Sequence, residues 1–292
     1  MLMGNTNSST ALTDLKKGGR RFWNNNPCTG QWHDFQEQME WLLDVEFYLN
    51  VIFTKELFGD KTVLEIGCGQ GIETYMAKRA GARQVFAMDI SDGSVRTAKS
   101  NLKSGSVTGV DFLVGDAETL PIASNSFDMA YSIGVLHHTP DTSKTLAELH
   151  RVLRPGGKAL IMLYAKNNPK GVAVRVCRAL SSLIDKVVRR EYFLYQWLRR
   201  RGAGTADDPQ GTGLLELFGC PVLKMYSKSE IKQLFSSFEI QSLKLYEPGF
   251  YRLKDFLLFA GDKNSIIAKS LAGIDRIMAP FGFYWVIKVE KK

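Results

Sequence analysis

The stretch VLEIGCGQGIET, Val63 to Thr74, sets Gly67, Gly69 and Gly71 at alternate positions between an apolar run and the start of a helical pattern. Glycine there lets a backbone turn tightly and approach a ligand with no Cβ in the way, as a nucleotide-type site requires. Two details disfavour a dinucleotide. Its fingerprint wants Gly or Ala three residues after the second glycine, where this chain has the branched Ile72. Glu65, two residues before Gly67, also puts a carboxylate at the strand end, which repels a pyrophosphate and welcomes an ammonium or sulfonium group. The loop, with Cys68 inside it, reads as a holder for a cationic nucleoside. Asp89 follows Gly71 by 18 residues, close to the roughly 20 at which an acidic side chain reaches ribose hydroxyls in doubly wound sheets. His137 and His138 stand side by side and have the pKa range of a general base. As a metal pair they have no third ligand nearby, and no metal is expected.

These residues need a frame that brings them to one edge. From Lys61 the chain alternates short β-rich runs with helical patterns, which predicts a parallel sheet covered by helices on both faces. KTVLEI, RQVFAMD, VDFLVG, FDMAYSI and KALIMLY read as the first five strands. Helices are expected over Glu73 to Ala80, over Asp92 to Ser104 with Ser91 as N-cap, and from Asp141 with Leu146, Leu149 and Leu153 inward. RPGG reads as the turn that closes the last of these. Ser227 and Glu230 form a capping box for a helix through Phe238, and EIQSLKLYE and FYWVIKVE supply two closing strands. The fold class is therefore α/β, a Rossmann-like, seven-stranded and mostly parallel sheet with a helical insertion after the fifth strand. Four segments follow: a polar lead-in and aromatic lid or strap over 1–60, a cofactor-binding core over 61–164, a basic helical insertion over 165–226 serving as substrate cap, and the rest of the core over 227–292.

E-x-G-x-G-x-G is the shape of motif I in class I S-adenosylmethionine methyltransferases, which the glycine loop resembles. Residues 61 to 164 resemble the family that includes the ubiquinone and menaquinone C-methyltransferases, through LEIGCGQG, GDAETLP, FDMAYSIGVLHH and LRPGGKALIM. The resemblance implies S-adenosyl-L-methionine as cofactor. Glu65, Gly67, Cys68, Gly69 and Gly71 would then form the loop around it, and Asp89 with Ile90 would meet the ribose. Asp116 and the Ala117 N–H would take the adenine edge, and Ser132 and Ile133 would line the methyl end. Methyl transfer from a sulfonium is an in-line displacement, so alignment in a dry pocket is the main requirement. If the nucleophile carries a proton, His137 or His138 is the candidate base, and Tyr164, ending the fifth strand, is another.

The net charge of +8 is concentrated. Lys166 to Arg201 holds ten basic residues against Asp185 and Glu191, so the rest of the chain is neutral in sum. Within it, Val172, Val176, Ala179, Leu180, Leu183 and Val187 recur at helical spacing with basic residues on one flank. That amphipathic helix could roof the pocket, touch an anionic membrane or present a solvated face. As a roof it favours a small or medium lipophilic or aromatic acceptor, methylated on carbon, oxygen or nitrogen. Nucleic acid is disfavoured, because the place of a base-stacking turn reads Ser132-Ile133-Gly134-Val135. Phe22, Trp23, Trp32 and Phe35 sit in a polar frame with Pro27 and Gly30, which suits either a lid or a hydrophobic strap. Cys28, Cys68, Cys177 and Cys220 form no C-x-x-C pair, no apolar run reaches the ~18 residues of a membrane span, and the N-terminus lacks a signal-peptide h-region. A cytoplasmic enzyme is expected, with peripheral membrane contact an open alternative. Gly4 to Ser8 would mimic a myristoylation signal only if translation began at Met3. Two rival readings remain: an arsenite-type enzyme using cysteine thiolates, and a non-catalytic cofactor-fold adaptor at a membrane.

Overall fold

In the computed structural model, β1 (Thr62–Ile66) lies at the middle of one sheet, flanked by β2 (Gln84–Asp89) and β4 (Phe127–Ile133). With β3 (Val110–Val114), β5 (Leu153–Tyr164), β6 (Phe238–Tyr246) and β7 (Tyr284–Lys291) the order is β3-β2-β1-β4-β5-β7-β6. The first five strands pair in parallel, and β7 runs antiparallel to both β5 and β6. The structure describes residues 6–28, 31–46, 48–205, 212–247, 270, 274, 277–278 and 281–292; Gly4 and Gly30 of the sequence reading lie outside them.

Strand alternation divides the core in two. Val63 faces a cluster shared with α2 (Phe35–Val45), α3 (Tyr48–Ile52), α4 (Lys55–Phe58) and α5 (Ile72–Arg79). Leu64 and Ile66 face the opposite cluster with α7 (Thr142–Val152) and α11 (Lys228–Leu234). Both faces are therefore covered, as strands with continuous apolar runs require. α6 (Asp92–Ser104) begins where Ser91 Oγ accepts from Ser94 N at 2.9 Å, and Asp141 and Ser227 cap α7 and α11 in the same way.

Three expectations change. The polar lead-in, for which no helix was expected, forms one over Thr6–Asn25, α1. Its last turn docks at the start of α6, where Asn24 Oδ1 accepts from Ser91 Oγ (2.6 Å) and Gly93 N (3.2 Å). RPGG is not a free turn but part of β5, where Leu153 pairs with Phe127 and Lys158 with Met129 across a register shift. The capping-box helix ends at Leu234, because Phe238 already pairs with Lys291 in the sheet. The basic insertion folds as α8 (Pro169–Val188), α9 (Phe193–Arg200) and α10 (Thr212–Gly219).

Candidate active site

The glycine loop leaves β1 and is pinned to β2 at once: Gly67 N and Cys68 N both donate to the Met88 carbonyl, at 2.7 and 2.9 Å. Gly67 has φ +87°, and a Cβ there would stand 2.1 Å from Val135 Cγ2 in the loop after β4. Only glycine lets the two strand-end loops pack together at this point. Asp89, the last residue of β2, closes the arrangement. Its Oδ2 accepts from Gly69 N at 3.0 Å and its Oδ1 from Ser91 N at 2.8 Å, so each oxygen keeps capacity for a further donor. Burial raises the Asp89 pKa, opposed by these backbone N–H groups.

Above these residues lies a cavity open to solvent, about 1060 Å³ with its open mouth included. Gly67, Gly69, Asp89, Ile90, Asp116 and Ala117 line it at one side, and Ile133 and His138 at another. Glu73, at the start of α5, also faces it, and burial pushes its carboxyl up to about 7. Ile72, whose bulk argued against a dinucleotide, is buried in the core and also touches the cavity wall. A positive-φ glycine loop, two strand-end carboxylates and a third carboxyl suit a nucleoside that bears hydroxyls and a cationic tail.

Other residues singled out by the sequence stand behind this wall. Glu65 is 1% exposed, takes a very short hydrogen bond from the Thr74 hydroxyl and lies beside Tyr131. Burial raises its pKa well above the usual carboxylate range, and its bond to Thr74 ties β1 to α5. Its place follows strand alternation: Glu65 shares its face with Val63, while Ile66 reaches the cavity. Cys68 is fully buried in the core, and Gly71 serves as the left-handed N-cap of α5. Ser132 is fully buried and donates to the Ile66 carbonyl at 2.8 Å, tying β4 to β1.

The roof comes from an unexpected element. Leu15, Lys16, Gly19 and Trp23 of α1 line the cavity, together with Cys28 just beyond it. Lys16 Nζ lies 2.6 Å from Asp116 Oδ2 and 2.7 Å from Glu118 Oε2. Despite its partial burial, those bonds raise the Lys16 pKa. The aromatic group splits accordingly: Trp23 lies over the cavity, whereas Phe35 packs against Tyr75 on the sheet's flank. By contrast, among the described residues of the insertion none lines this cavity. The four cysteines do not converge either: Cys28 is exposed, Cys68 and Cys220 are buried in separate clusters, and Cys177 lies on α8. That disposition provides no thiolate set for arsenite-type chemistry.

His137 and His138 occupy a short 3₁₀ turn, Leu136–His138, after β4. Of the two, His138 lines the cavity, with the Trp23 ring 5.1 Å away. His137 is fully buried with its ring 3.8 Å from that of Tyr164. The Tyr164 hydroxyl donates to Glu216 Oε1 at 3.0 Å. Glu216, on α10, was invisible to sequence reasoning, since no local pattern links it to histidines 79 and 78 residues earlier.

A glycine loop at the end of β1, a carboxylate at the end of β2 facing the same cavity and this sheet order are those of the methyltransferase plan. Residues 64–161 match the family described as a methyltransferase domain. Over 176 residues the chain is 31% identical to demethylmenaquinone methyltransferase of Lactococcus lactis, which covers 56% of this chain and 68% of that protein. The chain belongs to the class I S-adenosylmethionine-dependent methyltransferases, and S-adenosylmethionine is its cofactor. It is also 36% identical over 100 residues to the phthiotriol/phenolphthiotriol dimycocerosates methyltransferase of Mycobacterium tuberculosis, spanning 34% of this chain and only 36% of that protein's length. The S-adenosylmethionine-dependent methyltransferase of Mesorhizobium loti shares the fold at 17% identity, with a TM-score of 0.54 over 85% of this chain and 98% of that one.

Proposed function

We propose that this methyltransferase delivers its methyl group to a lipophilic acceptor taken from an anionic membrane surface, with α8 lying on that surface. The outward stripe of α8 carries the proposal. Val172, Val176, Leu180, Leu183 and Val187 recur every three or four residues and are 48%, 51%, 54%, 58% and 75% exposed. Burying such a side chain is worth about 1.5–3 kcal/mol, so a helix normally turns this stripe inward. Here Gly171 and Ser181 face inward instead, and Arg178 donates to the carbonyls of Leu217 (2.9 Å) and Cys220 (3.1 Å). Following α8, Tyr192 and Trp197 are also exposed, with Arg201 stacked 4.1 Å from the Trp197 ring.

An exposed apolar stripe flanked by lysine and arginine is the composition of a helix lying in the plane of a membrane interface. Each basic group near an anionic surface adds about 1 kcal/mol. The segment from Lys166 to Arg201 holds the whole net charge of the chain. Among the described residues no helix is long and apolar enough to cross a membrane. Relatives named for demethylmenaquinone and for dimycocerosates support a lipophilic acceptor. At the cavity, Asp89 and Asp116 hold the nucleoside of the cofactor, and the His138 ring, which lines the cavity where His137 and Tyr164 do not, forms part of the wall toward the acceptor. Flotation with phosphatidylglycerol-containing vesicles tests the surface. The protein floats with anionic vesicles, less at high salt, and not with phosphatidylcholine alone. Flotation indifferent to lipid charge and to salt would remove the membrane from the proposal.

A further inference from the structure

We propose that His137, His138 and Glu216 form a binding site for one divalent transition-metal ion of the zinc class, beside the cofactor cavity. One ligand atom from each of these side chains lies within 4.8 Å of the other two. His138 Nδ1 is 2.8 Å from the Val222 carbonyl oxygen, which can only accept, so Nδ1 carries the proton and Nε2 is left as a bare lone pair. That lone pair faces Glu216 Oε1 at 3.5 Å, an oxygen already accepting from the Tyr164 hydroxyl at 3.0 Å. Two acceptors thus face each other with no proton between them. His137 is fully buried, and neither of its ring nitrogens has a hydrogen-bond partner among the described residues. Burial holds both imidazoles below their ordinary pKa, in the neutral form that ligates metals.

Buried polar atoms are almost always satisfied, and a cation at the convergence satisfies all three groups together. Two imidazoles and one carboxylate select zinc, iron or cobalt over magnesium and calcium, which prefer oxygen alone. Bonds of about 2.0–2.2 Å place such ligand atoms roughly 3.4 Å apart, so the side chains close by about an ångström on binding. The ligands are themselves held in place. Val222 fixes the His138 tautomer, Tyr164 orients Glu216, and Lys224 N donates to the His137 carbonyl at 2.9 Å. The sequence offered no third ligand near the histidines; the fold brings one from α10. This inference stands on the cluster's own geometry and does not rest on the acceptor or the membrane.

The test is metal binding by the full chain after chelator treatment, with zinc followed by calorimetry and cobalt by its visible absorption. One ion per chain is expected, with cobalt bands of a nitrogen- and oxygen-ligated site. His137→Ala and Glu216→Gln should each weaken binding at least tenfold. Glu216→Gln retains an oxygen for Tyr164, so it decides the matter if His137→Ala does not fold. His33→Ala, on an exposed histidine far along the chain, should leave binding unchanged. Absence of stoichiometric binding, wild-type affinity in Glu216→Gln, or binding lost in His33→Ala would overturn the site.

Discussion

Asp89 joins the glycine loop, the start of α6 and the cavity wall in one side chain, through Gly69 N and Ser91 N. Asp89→Ala removes a charged acceptor and should cost about 1.5–3 kcal/mol of S-adenosylmethionine affinity, roughly tenfold or more, measured by calorimetry. Unchanged affinity would detach Asp89 from the cofactor. Glu73 gives a pH signature. With a carboxyl pushed from 4.5 to about 7, the native state between those values holds a proton that the unfolded chain has released. Its contribution to stability is therefore full below pH 4.5 and declines as pH rises to 7. Thermal unfolding of Glu73→Gln should show that decline removed, the variant gaining on wild type from pH 5 to pH 7.5; parallel curves would contradict the shift. Gly67, Gly69, Asp89, Asp116 and His138, singled out from spacing at strand ends, line the cavity. Glu65 and Ser132 lie behind the cavity wall, since their orientation depends on which face of a strand each occupies. Glu216 needed the tertiary fold.

At the scale of elements, most strands and the helices after them were legible, since hydrophobic period and caps such as Ser91, Asp141 and Ser227 are local signals. α1 was not, because a polar composition with Gly18 and Gly19 obscured its stripe of Leu15, Gly19 and Trp23. That stripe is held over the cavity by Lys16, which bridges Asp116 and Glu118. Part-exposed ion pairs contribute little, so Lys16→Ala should raise the cofactor dissociation constant only severalfold, about 1 kcal/mol, and mainly through faster release. Stopped-flow release at the wild-type rate would show that α1 does not retain the cofactor. α8 was legible as an amphipathic helix, but not in its direction. Period alone gives an apolar face without saying whether protein or another phase covers it, and the inward Arg178 reverses the usual answer. Leu180→Asp with Leu183→Asp should abolish vesicle flotation while leaving calorimetric affinity for S-adenosylmethionine intact, because neither residue lines the cavity. A variant that floats like wild type would contradict the membrane-facing role of α8.

For the whole molecule, the charge asymmetry and the division of labour coincide. The part of the chain that closes the cofactor cavity is neutral in sum, and the segment with the outward apolar stripe carries the net charge of +8. The proposed membrane role follows this division, with the cofactor bound from water through one set of residues and the acceptor met at a surface through another. The direct measurement is methyl transfer from methyl-labelled S-adenosylmethionine in the presence of anionic vesicles made from a total membrane lipid extract. The account predicts label in the organic phase as a singly methylated lipophilic product, with transfer reduced at least tenfold in the Leu180→Asp, Leu183→Asp double variant at saturating cofactor. Label remaining on a water-soluble acceptor, or undiminished transfer by that variant, would contradict it.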